Sequence, residues 1–561
     1  MARRDYFSTL IPVIWQDDDL IAVAKPYGVD VGGRERPLPH GIIEQLERRG
    51  GFEPGTLQPI NRLALYESGV LLMAKTPAFL KHLRSDLRDG KFKLEYLAVV
   101  LGKLTRKRVT LRNQRRVNED EPPRDRPPRT SKKRKKHKAP PPQMATPPSR
   151  KGPETTLSLQ DQKDKRSLVR AQTNAGSTHA LRAQLRGASL RLQGDSLNDR
   201  LARRDRASHT YLHLLRTTFR HPRSGQNVVL QVPLPDSFDD AVKRRTDAVR
   251  PLHAALVRRN ACLEDAATNC LRLINGPTEN LKGIVAERYG PIVIIEIRDE
   301  QAVHEKTIEE AARWYLEWLD VKAVYLRVQP EEPDSEYARH LRLIAGADLD
   351  DEIQLMERGL RYVSHPMSSS APGLFLDQRD NRTLVRKHAE TKRVLNLFAY
   401  TGGFSLAAAA GGAAETVSVD LSPRHLEWAR ANFALNGYEG ENFQFIKDDA
   451  LDYLRRAKRQ EREFDLVIID APSFAHGRKR KKFFSFTRDM PELIREASAI
   501  MPPGAGLMVG TNLRQLTFKK LKQLMLDGLG RRRPKQTKEC PLPPDFASDR
   551  NHSKTMLMWL H

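Results

Sequence analysis

Cysteine is scarce in this 561-residue chain: there are three, Cys262, Cys270 and Cys540, and none sits in a C-x-x-C pair. That excludes a disulfide scaffold and argues against a structural zinc centre, so no metal is expected. Long apolar runs are missing too. None approaches the ~18 residues that cross a bilayer, which excludes a helical integral membrane protein, and no membrane partner is expected. The opening stretch, MARRDYFSTLIPVIWQDDDL, has no apolar core followed by a small-residue cleavage site. No secretory signal is therefore expected, and the chain reads as cytoplasmic. Negative charge is also in deficit: 70 Asp and Glu face 96 Lys and Arg, a net charge of +26. A surplus of that size points to a polyanionic partner, nucleic acid above all. At roughly 100–200 residues per domain, the length implies three or four domains.

The surplus is concentrated. Residues 105–155 are crowded with Pro, Lys and Arg and contain no aromatic residue. Such a stretch buries too little apolar surface to offset the entropy of ordering, so a basic disordered insert is expected there. Its tract SKKRKKHK contains Lys132, Lys133, Arg134, Lys135 and Lys136. The tract reads as a solvated linker or as an arm for phosphates, and the same residues also suit a nuclear-localisation signal. Before the insert, LIAVAKP and YLAVVL alternate like short strands; after it, VVLQVPLP reads as another. Residues 253–365 begin like a helix. Two strands, GIVAERYG and PIVIIEIRD, follow around a Tyr-Gly-Pro turn, then the helix EKTIEEAARWYLEWL and the strand AVYLRV. From 366 to 561 strands alternate with helices: VLNLFAY, FSLAAAA, ETVSVD, PRHLEWARANFALNG, FQFIKDD, ALDYLRRAKR and FDLVIID. That rhythm implies a parallel sheet with helices on both faces. The expected organisation is 1–252, interrupted by 105–155, then 253–365 and 366–561.

Ligands of open parallel sheets bind beyond the carboxyl ends of the strands, so the residues that follow each strand are the candidates. After VLNLFAY come Thr401, Gly402, Gly403 and Phe404, where two glycines let the backbone approach a ligand. TVSVD ends in Asp420, a carboxylate able to accept both hydroxyls of a ribose or to cap a helix. The third strand runs into Asp448 and Asp449, and the fourth into Asp470, Ala471, Pro472, Ser473 and Phe474. Pro472 stiffens that loop, and Phe474 offers a stacking surface to a planar base.

These segments, with GLFLDQRDNR before them, resemble the class I S-adenosylmethionine-dependent methyltransferases, most of all those of bacterial large-subunit ribosomal RNA. The resemblance implies S-adenosylmethionine as cofactor and large-subunit rRNA, or a pre-ribosomal particle, as partner. It implies that Asn396, Phe398, Tyr400 and Gly402 wall the methionine part, that Asp420 takes the ribose and Asp449 the adenine. Phe375, Asp377, Gln378 and Arg379 would close over the cofactor. Asp470, Pro472, Ser473 and Phe474 would face the target base. Ala471 stands where the family pattern has proline, which loosens that loop. The stretch NCLRLINGPTENLKGIVAERYGPIVIIEIRD is similar to the accessory RNA-contacting domain of the same enzymes.

Methylation at carbon 5 of cytosine normally needs a thiolate to add at carbon 6. The loops after the target-base strand and the next read DAPSF and LMVGTNLRQ, without cysteine. A nitrogen target needs no covalent catalyst, and N7 of guanine already carries a free lone pair. A guanine nitrogen is therefore expected, N7 before N2, with Asp470, Ser473 and Asn512 as positioning groups.

The N-terminal part resembles the ribosomal-type pseudouridine synthases in VIWQDDDLIAVAKPYGVDV, INRLALYESGVLLMAKT and SLVRAQTNAGSTHALRAQLRG. The family motif H-R-L-D-x-x-T-S-G reads here Asn61-Arg62-Leu63-Ala64-Leu65-Tyr66-Glu67-Ser68-Gly69. Ala64 replaces the catalytic aspartate, and a methyl group has no lone pair to replace it. In a second motif, T-G-R-T-H-Q-I-R, the arginine has become Ser177. Arg62, Tyr96, His179 and Arg182 are retained and serve either RNA binding or the fold. The expected whole is multidomain. An α+β pseudouridine synthase-like domain without its reaction precedes a small α+β accessory domain and a C-terminal α/β Rossmann-like methyltransferase with a mostly parallel sheet. The alternatives are a non-catalytic RNA-binding assembly factor, a bifunctional enzyme, and methylation of a small molecule.

Overall fold

The computed structural model describes residues 11–32, 41–112, 153–195, 210–235, 238, 241–242, 249–276, 279, 281, 283–298, 305–328, 341–368, 372–472, 474–475, 484–547, 549 and 551–561. It divides into two compact units, one built from residues 11–31 and 42–246 and one containing residues 247–561.

The first unit is organised on an 11-stranded, largely antiparallel sheet. Its middle strand, Ser68–Ala74, is buried at every position, as expected of a strand covered on both faces. The strand runs parallel to Leu212–Arg220, which in turn lies antiparallel to Lys93–Leu101. Strand pairing extends past residue 105, into the stretch expected to be disordered. Arg108–Arg112 pairs antiparallel with Glu154–Lys163, whose other edge pairs with Arg166–Thr173. The cause is local: RVTLR and TTLSL are β-branched and alternating, and a neighbouring strand is available to pair with them. The tract from Lys132 to Lys136 lies outside the described residues.

The second unit begins with helix α1 (Val249–Arg258) and a five-stranded sheet: β1 (Cys270–Ile274), β2 (Ile284–Tyr289), β3 (Ile292–Ile297), β4 (Ala323–Val328) and β5 (Arg342–Gly346). Helix α2 (Glu305–Trp318) is the crossover between the parallel strands β3 and β4. Its buried stripe, Ile308, Ala311, Ala312 and Tyr315, recurs every three or four residues. With Leu252 of α1 it covers one face of the sheet, that of Ile274, Ile284, Ala286 and Ile295. Of the alternate positions, Cys270, Tyr289, Ile292, Ile294, Ala323 and Tyr325 belong to a second core, and Arg272, Glu287, Glu296 and Arg327 carry charge. A hairpin, β6 (Ile353–Glu357) with β7 (Leu360–Ser364), follows.

The larger sheet holds β8 (Arg393–Leu397), β9 (Glu415–Asp420), β10 (Phe443–Lys447), β11 (Leu466–Asp470), β12 (Gly506–Thr511), β13 (Pro534–Cys540) and β14 (Lys554–Leu560), in the order β10-β9-β8-β11-β12-β14-β13. The first five are parallel; β14 and β13 are antiparallel additions. Helices α3 (Arg379–His388), α4 (Gly403–Ala410), α5 (Pro423–Leu435), α6 (Ala450–Arg459), α7 (Phe486–Ser498) and α8 (Phe518–Leu529) complete it. Strand order reverses between β8 and β11, so their carboxyl ends flank the crevice where open sheets bind ligands. Among the described residues no helix is long and apolar enough to cross a membrane.

Candidate active site

A cleft of about 780 Å³ lies at that crevice. This volume is in the range of small-molecule and cofactor sites. One wall is the loop after β8, where Phe398, Tyr400 and Gly402 all take left-handed backbone angles, φ 57°, 48° and 75°. A left-handed residue with a Cβ costs about 1–2 kcal/mol, so two of them in three residues mark a loop held by its surroundings. Asp420 does the holding. Its Oδ2 accepts the Tyr400 N–H at 2.9 Å, while Oδ1 accepts the Ser422 N–H at 2.9 Å and faces His425 Nδ1 at 3.3 Å. Burial pushes the Asp420 carboxyl up, but His425 and the two backbone N–H groups outweigh it and keep it below the usual carboxylate range. Phe375, 48% exposed, tilts over the Tyr400 ring at 5.3 Å and forms the aromatic rim.

The floor is Asp470, the last residue of β11. Burial, with Asp377 nearby, pushes its carboxyl up to about 7; Arg382 pulls weakly the other way. Gln378 aims Nε2 at Asp470 Oδ1 from 3.5 Å, its own Oε1 being fixed by Asn381 at 2.6 Å and Thr555 at 3.3 Å. Asp377 lies 3.9 Å from His552. Opposite Asp470 in the ladder stands Gly510, where a Cβ would sit 2.4 Å from Asp470 Oδ1. The carboxylate has its place because that residue has no side chain.

Phe375, Asp377, Gln378, Phe398, Tyr400, Asp420, Asp470, Pro472 and Asn512 line this cleft together. Four other sequence candidates lie off its wall. Arg379 is 2% exposed and makes an ion pair with Asp545, with a further bond to the Cys270 carbonyl at 3.3 Å. It joins the larger sheet to β1. Asn396 is buried, donating to Ser405 Oγ at 3.0 Å. Gly402 is the N-cap of α4, and its missing Cβ makes room for Ala429 of α5 at 2.9 Å. Asp449 caps α6, accepting the Leu451 and Asp452 N–H groups. Ser473 lies outside the described residues; Phe474 opens a two-residue strand paired with Phe484–Ser485. Ala471 is 3% exposed, its methyl packed in the core beneath the loop.

Sequence reading missed His425, Ser422, His552 and Arg514, which also line the cleft, and a second wall formed by Arg272, Glu287, Tyr289, Glu296, Arg298 and Arg327. The signal for that wall was present: IVAERY and IVIIEI each place a glutamate, Glu287 and Glu296, inside an otherwise largely apolar strand.

In the first unit, Arg62 and His179 are exposed, whereas Tyr96 and Arg182 are buried. Arg182 bridges Glu67 at 2.7 Å and Asp195 at 2.9 Å. Glu67 also accepts the Ala64 N–H at 2.8 Å. Burial, then the Glu67 charge, push the Tyr96 phenol well up.

Residues 313–525 match the family profile "S-adenosylmethionine-dependent methyltransferase", and residues 19–186 match "RNA pseudouridylate synthase". YwbD of Bacillus subtilis, provisionally named a ribosomal RNA large subunit methyltransferase, is 30% identical over 315 residues, 55% of this chain and 78% of its own. The chain belongs to the S-adenosylmethionine-dependent methyltransferases. Its cofactor is S-adenosylmethionine, and its N-terminal part is a pseudouridine synthase-like domain. Ribosomal RNA large subunit methyltransferase K/L of Allochromatium vinosum is 38% identical over 242 residues, covering 43% of this methyltransferase but 31% of the relative. A solved structure, SMU.776, described provisionally as a methyltransferase and complexed with SAH, superposes with a TM-score of 0.50 at 25% identity, over 63% of this chain and 89% of that one.

Proposed function

We propose that this methyltransferase modifies a guanine nitrogen of large-subunit ribosomal RNA, the substrate class named for its relatives, and that its pseudouridine synthase-like domain binds RNA without a reaction of its own. The cleft fits the cofactor: Asp420 keeps acceptor capacity beyond its three protein contacts, and Tyr400 and Phe375 give an aromatic rim. When bound, S-adenosylmethionine supplies an electrophilic methyl group. Asp420 and the Phe398–Tyr400 loop would hold it, with Asp377 and Gln378 closing from the other side. The base leaves its stack to enter.

One observation carries the choice of atom. The cleft has a carboxylate floor and no thiol. Cys262 is pushed up to about 12 and Cys540 to about 11, chiefly by burial, Cys270 is pushed higher still, and none of the three lines the cleft. An ionised Asp470 accepts from two donors side by side, which suits the N1–H and N2 amino groups of guanine. N7 then offers its lone pair without a base; N2 is the second choice.

The test incubates the purified protein with labelled S-adenosylmethionine and protein-free large-subunit rRNA, followed by nucleoside mass spectrometry. Labelled methylguanosine is expected, whereas labelled 5-methylcytidine would refute the thiol argument. An assembly factor without catalysis would leave every nucleoside unlabelled. In calorimetry Asp420→Ala is expected to abolish cofactor binding.

A further inference from the structure

The accessory sheet turns a charged face to the cleft, and its charges do not cancel. Arg272 Nη2 meets Glu287 Oε1 at 2.6 Å, and Arg298 Nε meets Glu296 Oε1 at 2.6 Å. Arg327 of β4 lines the same wall without such a match. Its Nε and Nη2 are shut off from solvent, and neither has an acceptor among the described residues. Its register neighbour on β3 is Glu296, the carboxylate already joined to Arg298. The Tyr289 hydroxyl donates to Glu287 at 2.9 Å, and its oxygen accepts from neither of these Arg327 nitrogens. Leaving buried donors without acceptors costs about 1–3 kcal/mol, more for a charged group. A guanidinium in that condition on the wall of a binding cleft becomes a receptor for an oxyanion when its side chain turns the unmatched Nε–Nη2 edge into the cleft, where paired oxygens fit the planar fork.

We propose that Arg327 binds a phosphate of the RNA strand beside the everted target nucleotide, so that the accessory sheet grips the backbone while the larger sheet presents the methyl donor. This rests on the RNA-methyltransferase reading above. The other oxyanion able to enter is the cofactor's own carboxylate. The RNA phosphate is favoured because the cofactor-holding groups sit at the ends of β8 and β9, whereas Arg327 stands on the separate accessory sheet.

The test compares wild type, Arg327→Met and Arg327→Lys in the full chain. It measures S-adenosylmethionine affinity by calorimetry, affinity for protein-free large-subunit rRNA across a salt series, methyl transfer, and Tm. In Arg327→Met, cofactor affinity and Tm are expected to hold, because no partner group is orphaned. RNA affinity falls, and the slope of log K against log salt shrinks by about 0.7–0.9, the signature of one lost phosphate contact. Arg327→Lys keeps the slope and loses part of the affinity. An unchanged slope in Arg327→Met overturns the proposal, as does weakened cofactor binding with RNA binding intact, which assigns the guanidinium to the cofactor carboxylate. If the Met variant melts early, the Lys variant decides: reduced RNA affinity with intact cofactor binding supports the contact, and unchanged RNA affinity removes it. A wild type that transfers no methyl group to rRNA defeats the functional reading, and the salt slope still judges Arg327.

Discussion

Asp470 combines opposing demands in one side chain. Its position at the end of β11 places it on the floor of the cleft, and burial there favours the neutral acid. The folded carboxyl sits at about 7, above its ordinary 3.8, so between those values the folded state binds more protons than the unfolded one. The contribution of Asp470 to stability therefore falls as pH rises from about 4 to about 7. Asp470→Asn is expected to raise stability at pH 8, by a few kcal/mol at most, and to leave it unchanged at pH 3; urea titrations at the two values measure this. Activity moves the opposite way. On the proposed guanine reading the ionised form is the acceptor, so kcat/KM for RNA is expected to rise with pH and level off above about 7. In Asp470→Asn that rise is lost and kcat/KM drops by about 10–100-fold, the loss of a charged hydrogen-bond acceptor. A variant with a wild-type pH profile would remove Asp470 from the reaction.

At the scale of elements, the loop between β8 and α4 shows what the sequence reveals and what it hides. The end of TVSVD at Asp420 was legible, and parallel sheets bind ligands there, but VLNLFAY reads as a strand through Tyr400 whereas β8 stops at Leu397 and Phe398 and Tyr400 turn left-handed. The reason for the glycines was not legible. Gly402 reads as an opening for a ligand, yet its missing Cβ faces helix α5. Gly437, just past α5, supplies a control, since its φ of 76° matches the 75° of Gly402 but nothing lies within 4 Å of its would-be Cβ. Gly437→Ala is expected to cost about 1–2 kcal/mol, the left-handed penalty alone. Gly402→Ala adds overpacking against Ala429 and is expected to cost about 2–4 kcal/mol. It also displaces Tyr400 and weakens cofactor binding, which Gly437→Ala leaves intact. Thermal unfolding and calorimetry on the pair separate strain from packing. Arg379 was hidden for a different reason. Its partner Asp545 lies 166 residues away, and no local pattern announces so distant an ion pair. Asp449 was legible as an acid at a strand end, but the same position suits a helix cap, which is the contact the structure displays.

For the whole molecule, two RNA-type units in one chain raise the local concentration of substrate if the first unit binds RNA. Changing its exposed candidates together, Arg62→Ala with His179→Ala, is then expected to raise KM for rRNA several-fold with kcat unchanged. Restoring the carboxylate that position 64 lacks is a different matter. Ala64→Asp returns a carboxylate to the loop, but the surroundings no longer receive it. Arg182 is already bound to Glu67 and Asp195, and Glu67 is fully buried. Glu67 also holds the backbone N–H at position 64. Moving Arg182 to a new partner would strand a buried Glu67 charge, a loss of about 3–5 kcal/mol. Ala64→Asp is therefore expected to form no pseudouridine in rRNA, with methyl transfer at the wild-type rate. Pseudouridine made by this variant would mean that the ion pair is not what blocks the reaction, and pseudouridine made by the wild type would mean that Ala64 does not block it either.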